Sequence, residues 1–154
     1  MTGVQTCALP IFTLEAFAAK CHDFVKAEPG PAGRQKICTL LSQVLKDEQF
    51  VAKYVDSNSK ERNVLYEDPE FGFCIIAHNY EGPKTSDPHD HGPSWAIYGQ
   101  ARGETAMNDW ALLESASEQK PGKVKHVRTF ANLIFRYFNT SFPIFCNQCI
   151  AKCF

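Results

Sequence analysis

From Thr13 onward the apolar positions Leu14, Phe17, Ala18, Cys21, Phe24 and Val25 recur at three- and four-residue spacing, the period of a helix with one buried stripe. Thr13 can cap this helix at its start, and Glu28-Pro29-Gly30-Pro31 ends it. A second helix, from about Ala32 to Lys46, puts Ile37, Leu40, Leu41, Val44 and Leu45 on one face; Phe50, Val51, Tyr54 and Val55 continue the pattern after a break. Both stripes read as core. After Asp56-Ser57-Asn58-Ser59 the period changes. Asn63 to Tyr66 and Phe71 to Tyr80 alternate or run apolar as strands do, separated by the turn residues Glu67-Asp68-Pro69-Glu70. Trp95 to Tyr98, Glu104 to Leu113 and Val124 to Phe130 add three strands, with turn chemistry at Gly99 to Gly103 and a polar connection from Glu114 to Gly122. Helices first and short strands afterwards predict an α+β fold built on a β-sandwich or barrel.

Composition narrows the class without changing this picture. A chain of 154 residues can bury a core as one domain without covalent staples. Sixteen basic and 17 acidic residues leave a net charge of −1, so no global field points to nucleic acid or to an anionic membrane. No apolar run has the length of a membrane span. The seven cysteines are odd in number and three crowd the end, which argues against a disulfide framework and for a cytoplasmic chain with reduced thiols.

Both ends differ from the middle. Residues 1–11 lack a basic leading region and a cleavage site, and Thr2 to Ile11 resembles the translation of a sequencing-library adapter, so this stretch is set aside as an artefactual leader. From Phe130 to Phe154 the chain is rich in Phe, Ile, Asn and Cys and has no acidic residue, a composition break expected of a frame change. Cys146, Cys149 and Cys153 have thiolate spacing but fall short of the four ligands of structural zinc. The division expected is a leader over 1–11, a helical part over 12–56, a partial β-barrel over 57–129 and an aberrant tail over 130–154.

The chemistry concentrates in Pro88-His89-Asp90-His91-Gly92-Pro93 and the strand that follows. Two histidines one residue apart on an extended segment project to the same side, a way to hold a metal, and the flanking prolines oppose a helix. His89-x-His91, four residues, Ala96, six residues and Gly103 resembles the first motif of the cupins, whose usual form places a Glu where Ala96 stands. Cupins that dispense with this Glu include the thiol dioxygenases of the cysteine dioxygenase type. Glu61-Arg62-Asn63-Val64-Leu65 resembles the Arg-Asn-hydrophobic segment that precedes the histidine pair in those enzymes. The resemblance covers roughly Phe12 to Thr129 and is specific around His89 to Trp110.

The resemblance implies two N-terminal helices followed by an incomplete cupin jelly-roll β-barrel. It implies His89 and His91 as metal ligands, Arg62 as the partner of a substrate carboxylate, Trp95 and Tyr98 as pocket walls, Fe(II) as the foremost cofactor, and a small-molecule thiol and O2 as substrates. Imidazoles alone suit iron, zinc, nickel or copper equally. Arg62 can equally be a surface arginine paired with Glu61 or Glu67. The third ligand of cupins comes from a downstream second motif, and no histidine follows His126. The chain as written therefore reads as an inactive fragment of a thiol-oxidising cupin, with no catalytic residue assigned. The alternatives are a non-catalytic metal- or small-molecule-binding module and another metal-dependent cupin such as an isomerase. Of the other histidines, His78 reads as a strand residue satisfied by a neighbour, His22 as part of the polar side of the first helix, and His126 as solvent-facing among Lys123, Lys125 and Arg128.

Overall fold

A computed structural model describes residues 12–57, 59–83, 85–89, 94–131, 135–138 and 150–151. Three helices lead the chain: α1 (Leu14–Ala27), α2 (Pro31–Val44) and α3 (Glu48–Val51), the last running into a π segment, Ala52–Asp56. Seven strands follow: β1 (Arg62–Glu67), β2 (Cys74–His78), β3 (Ala96–Gly99), β4 (Ala106–Glu114), β5 (Lys123–Ala131), β6 (Phe135–Phe138) and β7 (Ile150–Ala151). The strands pair antiparallel as β1–β2, β6–β3–β7 and β4–β5, so the architecture is α+β.

The start of each helix answers its first, unpaired backbone N–H groups, by a side-chain cap at α1 and α3 and by a proline at α2. Thr13 accepts from the N–H of Ala16 at 3.1 Å, as the sequence predicts. Pro31 opens α2 with its φ already helical and no N–H to satisfy. Asp47 accepts from Gln49 and Phe50 at the start of α3 and also from the N–H of Phe12, at 3.0 Å, which fastens the entry of α1 to the helix pair's far end. That bond from Phe12, followed by those from Phe50 and Gln49, holds the Asp47 carboxyl below its ordinary range.

The predicted stripes become the core. Phe17, Ala18 and Cys21 of α1 and Ile37, Cys38, Leu41 and Val44 of α2 bury against Phe50, Phe73, Ile75 and Ile97. Two glycines permit this closeness. A Cβ on Gly33 would lie 2.1 Å from the Glu28 carbonyl oxygen, so only glycine lets α2 fold back onto the end of α1. A Cβ on Gly99 would meet Leu45 at 2.6 Å and Leu41 at 2.8 Å, where β3 lies against α2. The turn after β3 is tied to the helical layer by Arg102, which bonds both carboxylate oxygens of Glu48, at 3.2 and 2.6 Å, and reaches Asp56 at 3.1 Å.

β3 is flanked on both sides, by β6 in register Ala96 with Phe138 and by β7 in register Ala96 with Ala151. The stretch set apart by composition thus contributes backbone pairing to the strand that follows the histidine pair. Phe- and Ile-rich segments suit strands whatever their origin, because the ladder is made by backbone groups. The leader over 1–11 and Cys146, Cys149 and Cys153 lie outside the described residues. Among the described residues no helix is long and apolar enough to cross a membrane.

Candidate functional site

His89 lies in the irregular approach to β3, in neither helix nor hydrogen-bonded turn, and is exposed. Its Nδ1 is 3.0 Å from the carbonyl oxygen of Asp87. A carbonyl can only accept, so Nδ1–H is the donor, the orienting contact common behind metal-bound imidazoles. His91 and Asp90 lie outside the described residues.

β3 then enters the interior. Ile97 belongs to the core cluster, Trp95 packs against it, and Gly99 abuts Leu41 and Leu45. Alternation therefore turns Trp95, Ile97 and Gly99 toward the helices, and Ala96 and Tyr98 toward the other face. Ala96 is 2 % exposed and Tyr98 4 %. Trp95 sits 6.3 Å from the ring of Phe73 and under the guanidinium of Arg34, 5.7 Å from its own ring centre. Trp95, just before β3, and Tyr98 on it thus turn to opposite sides of this segment.

Arg62 is exposed at the first position of β1 and is paired in register with His78 at the end of β2. Just beyond this pair the N–H of Asn79 donates to the Glu61 carbonyl at 3.0 Å, extending the ladder and fixing the sheet's end. His78 meets the Tyr80 hydroxyl at 3.2 Å from Nδ1, and the two rings stack at 5.8 Å. The expectation that a neighbour satisfies His78 holds, and the neighbour is Tyr80. The signal was in the sequence: residues two apart at a strand's end share a side.

Between the helices and β2 lies an apolar cavity of about 50 Å³, with Phe17, Leu41, Phe50, Ile75 and His78 among its lining residues. That volume admits a water-sized guest and is far below what a drug-sized ligand needs. Cys21, Cys38 and Cys74 are buried thiols outside any disulfide, and burial pushes Cys21 up to about 12 and raises Cys38, which disfavours the thiolate at both.

The polar cluster that sequence reasoning passed over centres on Asp68, read there as a turn residue. It is 1 % exposed and accepts from the N–H groups of Phe71 at 2.7 Å and Glu70 at 3.1 Å, from the Tyr66 hydroxyl at 3.2 Å and from His22 Nδ1 at 2.8 Å. Burial pushes this carboxyl up, but the Phe71 N–H, His22, the Glu70 N–H and Tyr66 together outweigh it and hold it below the ordinary value. His22 also reaches Glu70 at 3.3 Å, so it clasps α1 to the β1–β2 turn. His126 is exposed as expected and meets Thr129 at 2.9 Å. In its basic neighbourhood Lys123 pairs with Glu114 and Arg128 with Asp109.

The donor chemistry of His89 fits a divalent ion, but among the described residues no group of three His, Cys, Asp or Glu side chains is placed to hold one. The described residues thus supply one imidazole of the expected pair. No protein-family model matches the chain, and no curated protein matches it.

Proposed function

We propose that this chain carries a cupin-type metal-binding domain of the thiol-dioxygenase kind, with a jelly-roll arrangement of its strands. On this reading His89 and His91 hold a divalent ion, Fe(II) foremost, and Arg62 takes the carboxylate of a small thiol. Iron, when bound, supplies the means of activating O2 beside the thiol. The residues present orient and bind. The observation that carries the reading is the setting of the histidine segment: His89, its Nδ1 turned to the Asp87 carbonyl, leads into a strand whose buried Ala96 occupies the position where most cupins have a carboxylate. Replacing that carboxylate by a methyl group leaves a bound ion with more of its charge, which favours a thiolate partner.

A second reading is a module that holds metal without turnover: a site of two imidazoles holds its ion loosely, and among the described residues no three metal-ligating side chains are placed together. Anaerobic equilibrium dialysis of the 154-residue chain against Fe(II), followed by oxygen-electrode traces with cysteine or 3-mercaptopropionate, separates the two. The expected result is one iron per chain, with affinity falling more than about tenfold in both His89→Ala and His91→Ala. Oxygen uptake that depends on thiol and on His89 favours the enzyme; iron without uptake favours the module. Equal iron binding by parent and both variants would sink the proposal.

A further inference from the structure

The helical layer and β3 meet so closely that a methyl group at Gly99 would lie 2.6 Å from Leu45 and 2.8 Å from Leu41. The same two leucines border the cavity of about 50 Å³ alongside β2, so the void is a local feature and not a general looseness of packing. Of its lining residues, Phe17, Leu41, Phe50, Ile75 and Ala77 are buried, whereas Val55, His78 and Ala101 are half-buried. The cavity thus reaches from the core toward the surface.

Its volume is several times what one water needs, but a water held inside a protein also needs about two to four polar partners. Among the described residues His78 is the one lining residue with a polar side chain, and its Nδ1 meets the Tyr80 hydroxyl at 3.2 Å. The lining side chains therefore leave water a single ring nitrogen, too little to hold it, while bare apolar walls forfeit dispersion contacts that a guest restores. A compact molecule without hydrogen-bonding groups suits this space; a charged or drug-sized one does not.

An ion pair marks the half-buried end. Val55 and Ala101 each precede a charged residue, Asp56 and Arg102, and these two are joined at 3.1 Å while Arg102 also holds Glu48 at 2.6 Å. The bridge ties the π segment to the turn after β3 next to the two lining residues. Being exposed, it is weak and screened by salt, so it can open while the core stays folded.

We infer that this cavity is a binding site for one compact apolar molecule of a few heavy atoms, a dissolved gas or a short hydrocarbon, which enters between Val55 and Ala101 when the bridge from Arg102 to Asp56 opens. The site uses none of the residues assigned to the metal or to the thiol, and it stands whether or not the chain binds iron.

Xenon is the probe. The test is methyl NMR of the 154-residue chain under rising xenon pressure, with acetamide, a small polar molecule, as control. Saturable shifts confined to the methyl groups of Leu41, Leu45, Leu65 and Ile75 are expected with xenon, and none with acetamide. Ala77→Leu should abolish them, because Ala77 shares the side of β2 that carries the core residue Ile75 and a longer side chain there fills the void. A circular dichroism spectrum like that of the parent shows that this variant is folded; Ala101→Leu, at the half-buried end, is the second variant and should slow xenon exchange. Arg102→Gln should leave the saturating pressure unchanged and speed exchange about two- to fivefold, the worth of an exposed ion pair. Added salt should speed exchange in the parent and not in Arg102→Gln. Shifts that are absent or do not saturate in the parent, that appear equally with acetamide, or that persist in folded Ala77→Leu overturn the site. An exchange rate indifferent to both Ala101→Leu and Arg102→Gln overturns the entrance.

Discussion

Two buried aspartates mark two differently built regions of this molecule. Asp68, where the helical layer meets the β1–β2 turn, has donors on both oxygens, from two backbone N–H groups, a tyrosine and a histidine. Asp109, on β4, has Arg128 on Oδ2 at 2.5 Å, while among the described residues its buried Oδ1 has no hydrogen-bond partner, and neither has the buried hydroxyl of Thr105 just before the strand. Among the described residues the contacts of the β4–β5 ribbon are chiefly within itself, and it exposes Leu112, Leu113 and Val127. The helical layer instead interlocks with β1, β2 and β3 through one continuous apolar cluster. A two-stranded ribbon alone is marginal in water, whereas two helices on a sheet close a core. Stability therefore concentrates in the first region.

The sharpest way to test this contrast is to open the core. Phe17→Ala removes a ring that is 2 % exposed and edge-on to Phe50, and it should cost about 3–5 kcal/mol in chemical denaturation. A loss below about 1 kcal/mol would place the stability elsewhere.

Next in size is Asp68→Asn, expected to cost about 2–3 kcal/mol near neutral pH because a neutral amide cannot accept from all four donors and brings two of its own. The pH dependence has a definite sign. A carboxyl held below its ordinary value of 3.8 contributes its full stabilisation above that value and loses it as the pH falls through the lower, folded value. The gap between parent and variant should therefore be constant from neutrality to about pH 5 and close progressively below about pH 4. Denaturation curves recorded across that interval measure it, and a gap that widens with acid would contradict the assignment.

The smallest effect is expected at Asp109→Asn. Its partner Arg128 is largely exposed and one carboxylate oxygen is already unsatisfied, so about 1 kcal/mol or less should be lost. A loss equal to that at Asp68 would erase the distinction between the regions.

How much of this was legible in the sequence varied with the range of the interaction. Thr13, Pro31 and the apolar stripe of α1 act within one or two turns, so spacing alone located both long helices and strands β1 to β5 to within a few residues, while β6 and β7 fall in the stretch set aside on composition. Asp68 looked like turn chemistry, and it is in a turn, but its burial depends on His22, 46 residues earlier, which no local pattern reveals. Which face of β3 meets the helices is likewise a long-range matter: Ile97 and Gly99 lie against the helical layer, so alternation leaves Ala96 and Tyr98 on the other face.

The sequence by itself determined the order and kind of the elements, the caps, the absence of a strong charge field and the placement of a His-x-His segment ahead of a strand, because each follows from side chains a few positions apart. Tertiary structure alone decided that Arg62 stands opposite His78, that Asp68 is buried and fully bonded, and that Gly33 and Gly99 set how closely the layers approach. These facts depend on strand register and on contact between elements far apart in the chain. A shift of one residue in pairing would send Arg62 and His78 to opposite sides of the sheet while leaving every local pattern unchanged.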